Sequence, residues 1–242
     1  MDRMIYLSMS GAKSMMERQE VLANNLANVS TVGFRAELHA FRSVPVNGSG
    51  ASTRVYALET TPGYDNTAGP IIPTGSNLDV AMQGNAWLAV QGLNGTEAYT
   101  RAGKLTVTAD GTLVNHSGLT VLGDNGPLQL PPNSEISIGA DGTVSAVSGS
   151  APPVQVGRLK LVTPEAPLKR GTDGLFRTAG GEPLPADETA RVHSGALEGS
   201  NVSPVAAMVA MIGASRQFES QMKLLQTAEG DEKSAAQLLS MS

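Results

Sequence analysis

The stretch of sequence that decides the fold runs Ala23-Asn24-Asn25-Leu26-Ala27-Asn28-Val29-Ser30-Thr31-Val32-Gly33-Phe34-Arg35. Its first half continues the helical spacing of the residues before it. Its second half brings β-branched residues from Val29 onward and then Gly33, which favour the end of a helix. The pattern predicts a helix over residues 3–29, about 40 Å long at 1.5 Å per residue.

A second helix is predicted at the other end of the chain, over residues 204–239. Ser203-Pro204 supplies an N-cap and a first-turn proline, whereas Gly230 is a weak point that costs about 1 kcal/mol against Ala. Both helices carry apolar residues every three or four positions, a spacing that suits packing against partner helices. We call the apolar stripe along each helix a seam. Taken alone, the two seams fit either the core of one domain or an assembly surface. The seam residues are Ile5, Ala12, Met15, Leu22, Leu26, Met208, Met211, Phe218, Met222 and Leu225.

The middle of the chain has a different pattern of apolar and polar residues. Short alternating segments over residues 77–179 are separated by turns such as Asp110-Gly111 and Asp141-Gly142, which predicts an antiparallel all-β domain of barrel or sandwich type. Residues 34–76 and 180–199 are predicted to be extended connectors. The predicted fold class is therefore α+β, in which a helical domain of residues 1–33 and 200–242, paired like a coiled coil, carries an inserted all-β domain.

Composition excludes several function classes. The 242 residues include no Cys and carry a net charge of −5, which argues against thiolate chemistry and against binding to nucleic acid. No apolar run reaches the roughly 18 residues that span a bilayer, so we expect no membrane insertion, and we also expect no cleaved signal peptide. His39, His116 and His193 are isolated, and we predict no catalytic, metal or cofactor site.

The deciding stretch resembles a motif of the bacterial flagellar basal-body rod and hook proteins, Ala-Asn-Asn-Leu-Ala-Asn-Val-x-Thr-x-Gly-[Phe/Tyr]-[Lys/Arg]. Residues 195–202, Gly-Ala-Leu-Glu-Gly-Ser-Asn-Val, resemble the segment that precedes the C-terminal helix in this family. Residues 78–84 and 99–103 are similar to its β domain. The resemblance adds these residues to the expected assembly interface: Asn24, Asn25, Asn28, Gly33, Phe34, Leu197 and Asn201.

The resemblance implies a structural subunit that self-assembles into a helical tube and transmits torque. Its partners would be itself, other rod subunits and the flagellar export apparatus, and its location the periplasmic rod of the basal body. Within the family, the chain most resembles the proximal-rod members; a distal-rod or hook subunit is the alternative. A secreted β-rich enzyme or adhesin is a further alternative, which could use carboxylates such as Asp79 and Glu97.

Overall fold

The computed structural model describes the backbone of residues 2–45, 55–132, 134–148 and 152–240. Side chains are left undescribed at 2–7, 43, 45, 55–62, 232, 235, 236 and 238–240, so the predicted seam residue Ile5 lies outside the described side chains. The chain divides into two compact units. The helical unit comprises residues 1–29, 36–65 and 202–242, and the β unit comprises residues 30–35 and 66–201.

The helical unit pairs α1 (Asp2–Ala27) with α2 (Pro204–Ser240). A β-carbon on Gly11 would lie 3.2 Å from the Gln221 side chain, which sets the register of the two helices. In an antiparallel pair with this register, the 26 residues of α1 cover the first part of α2. Among the described side chains of α2, the buried and half-buried ones run from Ala207 to Ala228, within the part that this arrangement covers. A parallel pair would leave Ala207 uncovered, so the helices run antiparallel.

Small side chains form the tightest part of this helix pair. Ala12, Ala207 and Ala214 are at most 7% exposed, and Ser8 and Ser14 are also buried. Short side chains let two helix backbones approach closely, while the larger seam residues around them stay only half-buried. Where the side chains of both helices are described, the pair therefore buries little apolar volume.

Helix α2 begins where the sequence predicts. Pro204 occupies its first position, and the Ser203 hydroxyl accepts a hydrogen bond from the Ala206 N–H at 3.4 Å. The helix continues without a break through Gly213 and Gly230 for 37 residues, about 55 Å. Within the described part of the chain, neither helix has an apolar stretch long enough to cross a membrane.

A two-stranded antiparallel ribbon, β1 (Glu37–Pro45) and β2 (Val55–Tyr64), completes the helical unit. The Asn25 carboxamide donates to the Glu37 carbonyl at 2.9 Å and accepts from the Glu37 N–H at 2.8 Å, so it bonds the edge of β1 as a neighbouring strand would. This region lies in the first predicted connector, where a Gly- and Ser-rich run separates the two segments that pair.

The β unit contains sixteen of the described strands, and all of their pairings are antiparallel. The strands are β3 (Ile71–Pro73), β4 (Val80–Met82), β5 (Trp87–Gln91), β6 (Glu97–Thr100), β7 (Leu105–Val107), β8 (Leu113–Asn115), β9 (Leu122–Gly123), β10 (Gly126–Pro127), β11 (Glu135–Ile138), β12 (Thr143–Val147), β13 (Val154–Arg158), β14 (Leu161–Val162), β15 (Lys169–Arg170), β16 (Phe176–Arg177), β17 (Val192–Ser194) and β18 (Ala196–Glu198).

These strands form several small sheets. The largest has the order β14-β5-β6-β16-β15, and a second has the order β11-β12-β13. The predicted turns at Asp110-Gly111 and Asp141-Gly142 are confirmed, and they join β7 to β8 and β11 to β12 in two hairpins. Strands β17 and β18 lie in the second predicted connector, where they pair with β4 and β3.

One apolar core fills the β unit. Fully buried aliphatic side chains from many strands, among them Leu88, Leu113 and Val144, pack together. The single Trp of the chain, Trp87, is fully buried and stacks at 4.6 Å on Phe176. Burial of this kind stabilises the faces of the β-sheets.

The Asp187 carboxylate gives the β unit a measurable dependence on acid. It accepts hydrogen bonds at 2.6 Å from the hydroxyls of Thr163 and Thr189, and these bonds lower the pKa of Asp187 from 3.8 to about 2. A carboxylate whose pKa is lower in the folded chain than in the unfolded chain stabilises the folded state at every pH above the unfolded-chain pKa. This stabilisation disappears as the pH falls from about 4 to about 2.

We therefore expect an Asp187→Asn variant to be less stable than the parent at pH 7 and to approach it at pH 2. Urea unfolding at a series of pH values measures the difference. A difference that stays constant across that range would contradict the expectation.

Candidate assembly interface and its buried junction

Three charged residues meet inside the β unit, and we call Arg35, Arg101 and Glu198 the junction cluster. One Glu198 carboxylate oxygen lies 2.9 Å from Arg35 Nη2, and the other lies 2.6 Å from Arg101 Nη2. All three side chains are at most 2% exposed. A carboxylate shared by two buried guanidinium groups is unusual, because charges are rarely buried unless they are paired.

The cluster draws together parts of the chain that are far apart in sequence. Arg35 ends the deciding stretch, Glu198 ends β18 and Arg101 follows β6. The backbone repeats this contact, since the Gly33 N–H donates to the Glu198 carbonyl at 2.7 Å. The segments that enter the β unit and leave it are thus fixed to each other.

Arg101 is held by more than its ion pair. Its guanidinium donates to the carbonyls of Met82, Gly84 and Ala86 and, through Nε, to Glu198 at 2.8 Å. Burial lowers the pKa of Arg101 from its ordinary value, and the charge of Glu198 opposes that shift. Each strong donor of this side chain has an acceptor, which is what a buried charge requires.

Glu198 is saturated as well. Besides the two arginines, its carboxylate accepts a hydrogen bond from the Gly69 N–H at 3.0 Å. The arginine on the other side, Arg35, also donates to the Thr67 carbonyl. With its oxygens occupied and its side chain buried, the cluster has the properties of a structural clamp.

Gly33 allows the chain to enter this junction. Its φ of 68° is in the left-handed region, and a β-carbon there would lie 2.3 Å from the Arg101 carbonyl carbon. We expect Gly33→Ala to cost about 1–2 kcal/mol for the backbone conformation alone, with a further loss from the backbone clash.

Thermal unfolding of the full chain measures the effect of this substitution. Gly180→Ala is the matched control, because nothing lies within 4 Å of a β-carbon at that exposed position. Equal melting temperatures for the two variants would contradict the expectation.

The helical unit carries an exposed apolar surface on the first turns of α2, which we call the α2 patch. It consists of Val205, Met208, Val209 and Ile212, with exposed fractions of 71, 51, 64 and 55%. No residue from 204 to 215 is charged. A helix that is apolar on all sides is normally buried, and contiguous exposed apolar patches mark interaction sites.

The predicted interface residues fall into three groups by exposure. Within the single chain, some are buried, namely Ala12, Asn25, Gly33, Phe34 and Leu197. Others are half-buried, namely Met15, Leu22, Asn24, Leu26, Asn28, Asn201, Met211, Phe218 and Leu225. Met208 and Met222 are exposed. Contact of any of these residues with another subunit stays a prediction.

The carboxylates considered for an enzyme have structural partners. Asp79 is buried and accepts a hydrogen bond from the Thr74 hydroxyl at 2.7 Å. Glu97 forms an ion pair with Lys160 at 2.7 Å and accepts from the Tyr99 hydroxyl at 2.9 Å. Burial is the main cause that raises the pKa of Tyr99 to about 12, and the hydrogen bond to Glu97 also raises it.

Sequence reasoning missed two features of this region. The sequence pattern marks the segments that contain Arg35, Arg101 and Glu198 but does not show that these three residues form an ion cluster. One signal in the sequence points to such a cluster: each of the three segments carries a charged residue, in a chain of which only 16% of the residues are charged. Sequence reasoning also named Met208 without Val205, Val209 and Ile212, because it followed a single seam along α2.

Comparison with known families gives three matches along the chain. Residues 5–35 match a family described as flagella basal body rod protein, and residues 81–146 match the flagellar hook protein FlgE/F/G D1 domain. Residues 193–238 match the C-terminal family of the flagellar basal body rod FlgEFG proteins. The first and third of these regions include Arg35 and Glu198 of the junction cluster.

Full-length relatives are also found. The chain is 47% identical to the flagellar basal-body rod protein FlgF of Salmonella typhimurium and 46% identical to FlgF of Escherichia coli, with all of each chain covered. It is 32% identical to the flagellar basal-body rod protein FlgG of Bacillus subtilis, over 94% of this chain and 95% of the relative.

Proposed function

The chain belongs to the flagellar basal-body rod protein family as a structural subunit of the rod, and we propose that its place is the proximal rod. Similarity to FlgF over the full length supports this placement, and the lower identity to FlgG does not favour the distal-rod or hook alternative. The subunit would self-assemble with other rod subunits into a helical tube that transmits torque.

The observation that carries the proposal is the α2 patch. Four large aliphatic side chains on a charge-free part of one helix lie opposite the face that packs against α1. In a lone chain these side chains face water, which is unfavourable by about 25 cal/mol for each Å² of apolar surface. Helices of neighbouring subunits would bury them in a coiled-coil-like layer.

The remaining parts of the proposal concern chemistry and delivery. We propose that the chain has no catalytic activity, since the junction cluster is closed to substrate and the considered carboxylates already have partners. It would reach the periplasmic rod through the flagellar export apparatus.

Isolation of basal bodies tests the placement. A tagged chain, expressed in a bacterium that lacks its own copy of this subunit, should restore motility and remain with the rod after detergent extraction. Crosslinking should then join it to proximal-rod neighbours. Restored motility with the tagged chain found only among hook subunits would contradict the proximal placement.

A further inference from the structure

A groove in the β unit lies between the edges of two strands, and we call it the edge groove. Its cavity volume is about 680 Å³. Residues of β7 and of the loop after it form one side, and residues at the start of β11 form the other. The lining includes Leu78, Val107, Thr108, Pro131, Glu135 and Ile136.

Both strands that border the edge groove have one edge without a neighbouring strand in the described part of the chain, although Lys104, just before β7, forms an isolated bridge with Asp79. In the described part of the chain, β7 pairs with β8 alone and β11 pairs with β12 alone. The Thr108 N–H donates to Thr112 on the β8 side, so the N–H and C=O of Val107 point away from β8. In the same way, Gly139 donates to Thr143 across the β11–β12 hairpin, so the backbone groups of Ile136 point away from β12.

The groove therefore favours an extended strand as its occupant. Free edges give affinity through main-chain hydrogen bonds, and pockets select alternate side chains. Leu78, Val107 and Ile136 supply apolar surface. Among the described lining residues, Glu135 is the one with a charge. A fitting strand carries apolar or small residues and a cation.

Strand β1 has this chemistry on its exposed face. Leu38 is 51% exposed, and Ala40 and Arg42 are also exposed. At about 3.3 Å per residue, Leu38 and Arg42 lie about 13 Å apart on one face of the strand. In the described structure β1 pairs only with β2, so its other edge has no neighbouring strand beyond the Asn25 contact at Glu37.

Two other strands with exposed apolar residues fit the groove less well. Strand β3 presents Ile71 and Ile72 but is only 3 residues long and has no cation. Strand β13 presents Val154, but its Arg158 already donates to carbonyl oxygens of the same unit.

We propose that the edge groove binds strand β1 of a second copy of this chain, with Arg42 of one copy facing Glu135 of the next. The proposal rests on the proposed function, because the second copy is a neighbour in the rod. The two surfaces are different, so the contact is head-to-tail, and a contact of this kind builds an open helical assembly.

The Cys-free chain permits a direct test. Two differently tagged variants, Ala40→Cys and Thr106→Cys, are expressed together in the bacterium that lacks its own copy, and the isolated basal bodies are treated with a short bismaleimide. Each variant has one cysteine, so a crosslinked dimer with both tags reports a contact between β1 and the groove. We expect that dimer to form.

Charge reversal gives the decisive comparison. Arg42→Glu in the first variant should lower the yield of the mixed dimer about fivefold, as for an attractive pair made repulsive. Glu135→Arg in the second variant should restore it. A yield unchanged by reversal, or a dimer formed instead by Ile72→Cys or Val154→Cys, would overturn the inference and leave the rod placement standing. Absence of both tagged chains from the basal bodies would overturn the proposed function together with this inference.

Discussion

Replacement of Glu198 by Gln is expected to lower the free energy of unfolding of the β unit by about 3–5 kcal/mol, since it leaves two buried guanidinium groups without a counter-charge. The two arginines stay in place through their bonds to backbone carbonyls, so they cannot easily move to water. Gln keeps the size of the side chain, and the loss therefore reports charge and hydrogen bonding rather than a cavity.

Fluorescence of Trp87 during urea unfolding measures this loss, because the single Trp lies in the core of the β unit. Arg35→Met should cost less than Glu198→Gln, since one arginine still pairs with the glutamate. Glu229→Gln, which removes an exposed ion pair on α2, should leave the unfolding midpoint unchanged. If Glu198→Gln unfolded at the same urea concentration as Glu229→Gln, the clamp role of the junction cluster would be refuted.

Replacement of Val209 by Asp is expected to prevent assembly while the single chain stays folded. Val209 is 64% exposed in the single chain, so its replacement removes little packing. In an assembled interface, the same carboxylate would be buried without a partner. A cost above about 2 kcal/mol per contact lowers incorporation more than tenfold.

The amount of tagged chain in isolated basal bodies measures this effect, and circular dichroism checks that the helices persist. Ser220→Asp introduces the same charge at an exposed polar position of α2 and should assemble normally. Normal incorporation of the Val209→Asp chain would remove the α2 patch from the assembly interface.

The sequence predicted the elements that depend on local chemistry. The start of α2 at Ser203-Pro204 and the hairpins at Asp110-Gly111 and Asp141-Gly142 follow from residues that lie side by side. The end of α1 near Asn28 also follows from its neighbours, because β-branched residues and Gly33 come next. These signals do not need knowledge of distant contacts.

The features that were missed depend on residues far apart in sequence. The β1–β2 ribbon joins segments on either side of a Gly- and Ser-rich run, and Asn25 fixes its edge from within α1. The junction cluster joins Arg35 to Glu198 across most of the chain. Periodicity reports which face of an element is apolar, but it does not identify the partner of a charge.

The most direct test of the central claim is cryo-electron microscopy of isolated basal bodies at a resolution that shows side chains. We expect Val205, Met208, Val209 and Ile212 to be buried against a helix of a neighbouring rod subunit. Density in which these four side chains face water in the assembled rod would contradict the claim that α2 is the assembly surface.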